Sequence, residues 1–230
     1  CPPGSVTSGG DGNTTRTRCD PCPAGFSCDG TSAQTPCEAG SYAEGGASSC
    51  SPCLAGTASA DRAANCTECG ADNMYSENEA DVCLTCHEGS FTTGGAASTR
   101  TSCSECPAGS ACNGTSAVVA CSRGFFTAET GASNCTACAP GSTTTKAGAT
   151  QCKFCLAGTY LSADLVCVAC DADNLYSGNL ATNFSVCRPG SFTAGGTETT
   201  RTSCYECPAG SSCDGTSVVK PCPAGTFSAN

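Results

Sequence analysis

Tryptophan is absent from these 230 residues, methionine and histidine each occur once, and only 6% of side chains are aromatic. A chain so poor in large apolar side chains has little with which to fill an ordinary core. Charge is equally sparse. Charged residues make up 13% of the chain, and 20 acidic against 10 basic residues give a net charge of -10. Lys and Arg are spread thinly, so no basic face exists to neutralise phosphates, and nucleic acid is excluded as a partner. No apolar run reaches the roughly 18 residues that a membrane-spanning helix needs, so this segment is expected to contain no membrane span. No window carries a 3.6-residue apolar period, which predicts little helix. The sequence opens on Cys1 without a signal peptide and stops inside a repeat, and it reads as a segment of a longer repetitive protein.

What the chain has instead is 26 Cys and 28 Gly. Cysteine at this density persists as disulfide only in an oxidising compartment, where cross-links replace the apolar core that a small domain cannot build. The expected location is therefore extracellular, either secreted or on a cell-surface appendage. Five acceptor sequons, at Asn13, Asn65, Asn113, Asn134 and Asn183, agree with that location and predict N-glycans.

The sequence repeats at two scales. Thr99 to Ser116 returns almost unchanged as Thr200 to Ser217, and more loosely as Thr15 to Ser32. Large units start at Cys1, Cys86 and Cys187, which divides the chain into residues 1–85, residues 86–186 with one extra small module, and a truncated unit at 187–230. The small module runs Cys-x-x-Gly-Ser/Thr-aromatic, then small polar residues, then Cys-x-x-Cys. Gly at the fourth position supplies the positive φ of a tight turn. The glycine pairs starting at Gly45, Gly94 and Gly195 fall midway between cysteines, where a short hairpin must reverse. The predicted fold class is small and disulfide-rich: an elongated, rod-like tandem array of short β-hairpin modules with no large hydrophobic core.

The simplest bridge ladder joins the second Cys of one Cys-x-x-Cys pair to the first of the next. It pairs Cys1 with Cys19, Cys37 with Cys50, Cys53 with Cys66, Cys69 with Cys83, Cys86 with Cys103, Cys121 with Cys135, Cys138 with Cys152 and Cys155 with Cys167. Within the Cys22, Cys28, Cys37 cluster two arrangements remain: Cys22 with Cys28, or Cys22 with Cys37 and Cys28 with Cys50. The same choice faces Cys106 with Cys112 or Cys121. Cys187, Cys204, Cys207 and Cys213 complete the set of expected disulfide cysteines. Cys170 is left over because Phe184 stands where Cys83 stands in the first unit, and Cys222 is also left over, so both are expected to be unpaired or to bridge to another copy. Each loop of about 13 residues contributes roughly 3 kcal/mol in the chain-entropy estimate.

Tyr42, Phe91, Phe126, Tyr160, Phe192 and Phe227 stand at one recurring module position, where a ring is expected to pack on the next module's disulfide. No catalytic or metal-binding set emerges. Cys-x-x-Cys pairs at near-even steps beside sequons suit bridges better than zinc, and no cofactor is expected. His87 occupies a variable turn position rather than that of a base, and Asp171-Ala-Asp173-Asn174 lacks a calcium loop's bidentate Glu, which leaves a turn capped by its own Asx side chains. No enzyme is predicted.

Cys-Pro-Ala-Gly-Ser-Ala-Cys-Asn-Gly-Thr-Ser and Cys-Pro-Ala-Gly-Thr-Phe-Ser resemble the cysteine-rich repeats called ephrin-receptor-like or growth-factor-receptor-like, a disulfide-rich EGF-like style. The chain is also similar to surface proteins of ciliates and to mastigoneme proteins of algal flagella. The resemblance implies an extracellular, elongated glycoprotein that is a structural component of a filament or surface coat, with neighbouring repeats of its own kind and glycans as partners. The alternative it allows is a receptor or adhesin ectodomain, for which Ser122-Arg-Gly-Phe-Phe and Lys153-Phe154 are the candidate contact loops.

Overall fold

The computed structural model describes residues 1–12 and 14–228; the sequon residue Asn13 lies outside them. No helix occurs among the described residues. Their 26 short strands pair with chain neighbours in thirteen two-stranded sheets. The longest hairpins belong to the modules that open each large unit: Ser5–Ser8 with Arg18–Pro21, Ser90–Thr93 with Ser102–Glu105, and Ser191–Ala194 with Ser203–Glu206. The expected reversals at Gly94 and Gly195 are the turns of the last two, where both glycines of each pair take positive φ. The first strand of a hairpin tends to face inward. The second is mostly exposed, as in Ser51–Pro52, Leu84–Thr85 and Lys153–Phe154.

Twelve disulfides join the described residues, and they close all eight pairs of the simple ladder. Cys187 joins Cys204, and each short cluster takes its local option: Cys22 with Cys28, Cys106 with Cys112, and Cys207 with Cys213. Not every hairpin is closed by a bridge across it, which corrects the uniform module expected. The six-residue bridges join the residue after one hairpin to the end of the first strand of the next, or just past it, and the hairpin Leu175–Tyr176 with Ser185–Val186 has none.

The core is made of sulfur and small hydroxyls rather than aromatic rings. The largest fully buried side chains are Thr92, Thr144 and Thr193 together with nine cysteines, and Val6, Ala43 and Ala58 are buried beside them with Cys69, Cys112 and Cys170. The rings Tyr42, Phe91, Phe126, Tyr160 and Phe192 are half-buried. Two of them meet other rings: Tyr160 meets Phe184 edge-on at 5.4 Å and Phe192 meets Tyr205 at 6.0 Å. Phe227, grouped with them by sequence, is 88% exposed.

Two compact units divide the chain, one of Cys1–Cys106, Cys112–Val119 and Gly131–Ser133, the other of Pro107–Ala111, Ala120–Thr130 and the chain from Asn134 on. This division does not follow the sequence repeat. A repeat marks where a pattern restarts, whereas contacts here pass from each module into the next.

Candidate functional site

The Cys-x-x-Gly turn is where modules meet. At Cys37 the Gly40 N–H donates to the Ser59 carbonyl at 2.8 Å, the Ala39 N–H to Asp61 Oδ1 at 2.9 Å, and Cys37 C=O accepts the Arg62 N–H at 2.8 Å. The same three bonds recur at Cys53 with Ser76, Asn78 and Glu79, and at Cys155 with Ser177, Asn179 and Leu180. The tip residue of each junction, Arg62, Glu79 or Leu180, holds a left-handed φ of 60°. That conformation costs a non-glycine residue about 1 kcal/mol, which the junction bonds offset.

Those tips also constrain the Gly of the motif at three positions. A Cβ on Gly25 would lie 2.2 Å from the Arg62 carbonyl oxygen, on Gly40 2.1 Å from that of Glu79, and on Gly141 2.0 Å from that of Leu180. In each case the obstructing tip belongs to the module two positions further along. At these positions positive φ, read from sequence, is only half of the requirement, and close backbone approach is the other half.

Buried hydroxyls complete the junctions. Ser59 Oγ donates to the Ser41 carbonyl, Ser76 Oγ to Thr57 and Ser177 Oγ to Thr159, each at 2.9 Å. Among the described residues no buried side-chain N or O atom lacks a partner. In a core without bulk this matters, since an orphaned buried polar group costs about 1–3 kcal/mol. The signal was present in sequence as Ser59-Ala-Asp61-Arg62, Ser76-Glu-Asn78-Glu79 and Ser177-Gly-Asn179-Leu180, a Ser-x-Asx-x motif in the module after the one whose Cys-x-x-Gly turn it closes.

A second device ties three modules at once. Asp72 Oδ1 accepts the Arg100 Nε–H at 2.6 Å, and its Oδ2 accepts both the N–H of Ser116 at 2.9 Å and its hydroxyl at 2.8 Å. Thr92 Oγ1, 1% exposed, donates to the Asp72 carbonyl at 2.5 Å, and Tyr75 forms a parallel β-bridge with Arg100. The other compact unit repeats this clasp with Asp173, Arg201, Ser217, Thr193 and Tyr176. The Asp173 carboxylate is thus committed to Arg201 and Ser217 instead of capping its own turn, which corrects the Asx-turn expectation. The Ser116 amide and hydroxyl, followed by Arg100, hold Asp72 below the ordinary aspartate range. Burial pushes Asp173 up, but Ser217 and Arg201 outweigh it and its displacement is also downward.

The serine of the clasp is presented by a loop of fixed shape. Asp29, Asn113 and Asp214 each accept, at Oδ1, the N–H and hydroxyl of the threonine two residues on. That threonine's Oγ1 in turn accepts an N–H from Ala33, Ala117 or Val218. Asn113, one of the sequons, is built into this loop; Asn65, Asn134 and Asn183 are exposed like it.

Of the leftover thiols, Cys222 is half-buried and Cys170 is 3% exposed, its Sγ–H directed at Ser177 Oγ, so Cys170 is not placed to bridge another copy. Phe184 fills the place of the missing sulfur and rests on Tyr160. His87 is exposed on its turn. A groove of about 530 Å³ is lined by Gly190, Ser191, Glu206, Cys207, Ser211 and Ser228 among others. No protein-family model matches this sequence, and no curated protein sequence matches it.

Proposed function

We propose that the chain is a structural component of an extracellular, glycosylated filament or surface coat, built from ephrin-receptor-like cysteine-rich repeats and similar in kind to mastigoneme proteins. The observation that carries this is the repetition of one junction: Gly N–H, Ala N–H and Cys C=O of one module satisfied by a Ser-x-Asx-x tip of the next, at Cys37, Cys53 and Cys155. Its polar groups are directed along the array toward neighbouring modules and not into a cleft. Selection for shape repeats such a junction, whereas a ligand site individualises one copy. The twelve bridges belong to an oxidising, extracellular compartment. The exposed positions of Asn65, Asn113, Asn134 and Asn183 suit N-glycans that would solvate a surface with few charges.

A receptor or adhesin ectodomain is the second reading, favoured by one observation. Phe154, Leu156, Leu180, Val186 and Tyr205 in the second compact unit are each more than half exposed, as are Leu54, Val82, Leu84 and Val119 in the first. Sedimentation velocity on the chain secreted from a eukaryotic host separates the two. Concentration-dependent self-association in the absence of any other protein supports the structural role. A chain that stays monomeric, and whose Phe154→Ser variant loses capture of a soluble protein partner, overturns it.

A further inference from the structure

Two clasps are complete in this chain, and the parts of a third stand without an aspartate. Arg16 matches Arg100 and Arg201, Thr7 matches Thr92 and Thr193, and Ser32 matches Ser116 and Ser217. The frame that holds these residues is the same in all three copies. Thr7 N–H donates to the Thr31 carbonyl at 2.9 Å as Thr92 does to Thr115 at 3.2 Å, and Thr17 N–H donates to Ser8 as Thr101 does to Thr93, both at 3.1 Å. The loop below is matched too: Thr31 N–H and Oγ1–H bond Asp29 as Thr115 bonds Asn113, and a Cβ on Gly30 or Gly114 would lie 2.3 Å from the carbonyl of Cys1 or Cys86.

Only the occupant differs. Arg100 and Arg201 side chains are 17% and 13% exposed against their aspartates, and Thr92 and Thr193 are 1% exposed. Arg16 and Ser32 are exposed and Thr7 is half-exposed, and among the described residues Arg16 has no ion-pair or hydrogen-bond partner. A guanidinium without a partner among the described residues and the N–H and hydroxyl of Ser32, carried on the backbone frame that grips a carboxylate twice elsewhere in the same molecule, define a carboxylate site by charge and position.

We infer that Arg16, Thr7 and Ser32 form a docking face for the aspartate of a module tail of the type Ala-Asp-Asn-apolar-Tyr-Ser, running directly into Cys1 as Thr85 runs into Cys86. A tail, not a free anion, is the occupant because the clasp uses more than the carboxylate. In the complete copies the tail also adds a parallel bridge at Tyr75 or Tyr176, and the N–H of Ser76 or Ser177 donates to the arginine carbonyl at 3.2 or 3.1 Å. A second folded copy is not the source, because its Asp72 and Asp173 are both already engaged. The inference holds for a filament and for a receptor alike.

The test places a copy of residues 69–85, with its own Cys69–Cys83 bridge, directly ahead of Cys1 and follows amide hydrogen exchange at Ser32. At least a tenfold slowing toward the rate of Ser116 is expected, with return to fast exchange when the grafted aspartate is changed by Asp72→Asn. Fast exchange at Ser32 in the graft, with Ser116 and Ser217 still protected, would overturn the assignment, as would equal slowing with the asparagine. If the graft itself exposes Ser116 or Ser217, the bridged 69–85 peptide is added at millimolar concentration to the unaltered chain. Protection of Ser32 that Arg16→Ala removes then supports a docking face, and no protection refutes it.

Discussion

Replacing Asp72 by Asn removes a charge while keeping the shape of the side chain, and the clasp makes its effect calculable. Two carboxylate oxygens now accept three donors, from Arg100 Nε and from the Ser116 amide and hydroxyl. An amide offers one acceptor oxygen and turns an NH₂ toward whichever donor it abandons. Hydrogen bonds to a charged group contribute about 1.5–3 kcal/mol each, less where solvent reaches them. With the Asp72 side chain 31% exposed, a net loss of about 2 kcal/mol follows, or roughly 30-fold in a local opening equilibrium. Native-state amide exchange reads that opening at Ser116. Ser217, gripped by Asp173 in the other compact unit, is an internal control in the same sample. The expected result for Asp72→Asn is about 30-fold faster exchange at Ser116 with Ser217 unchanged. An unchanged Ser116 would show that the carboxylate does not hold the loop, and an equal rise at Ser217 would show that the effect is not local.

Gly141→Ala and Gly190→Ala share a positive φ, 76° and 89°, but the first Cβ would meet the Leu180 carbonyl at 2.0 Å and the second meets nothing within 4 Å. Thermal unfolding with bridges intact should show Gly190→Ala costing about 1 kcal/mol and Gly141→Ala clearly more; equal costs would mean that the tip does not constrain the turn. Phe184→Cys restores the pattern of the first unit and should close a bridge to Cys170, leaving Cys222 as the one thiol found by titration of the unfolded, unreduced chain. The gain from the 14-residue loop is about 3 kcal/mol, reduced by loss of the Tyr160–Phe184 contact. Acid should weaken both clasps. Because the folded Asp72 and Asp173 titrate below the ordinary value, their contribution is complete above about pH 4 and is lost as pH falls through the lowered values. The melting temperature of the wild type should therefore drop more steeply below pH 4 than that of a chain carrying both Asp72→Asn and Asp173→Asn, and parallel curves would contradict the clasp's ionic character.

The ladder of bridges was legible in the sequence because cysteine spacing near 13 residues matches a hairpin of two short strands and one turn. The choice at Cys22 and Cys106 was not, since a short local bridge and a longer interlaced one both have loops that can close, and only the fold of the turn decides between them. The clasp also escaped a linear reading. Asp72 and Ser116 are 44 residues apart, and Asp72 resembles any turn aspartate until the Arg100 strand is laid beside Tyr75. Its trace was the repeated stretch from Thr99 to Ser116, whose arginine and last serine are two of the clasp's parts. The aromatic position drew attention for its size, yet the burial lies with Thr92, Thr193 and the sulfurs, because modules this thin bury only what is within reach of a bridge.

Negative-stain imaging of the native, unreduced glycoprotein tests the structural role most directly. Ordered fibres with a regular axial repeat, dispersed by reduction of the disulfides, are the predicted result. Dispersed single molecules at every concentration, with no axial order before reduction, would contradict it.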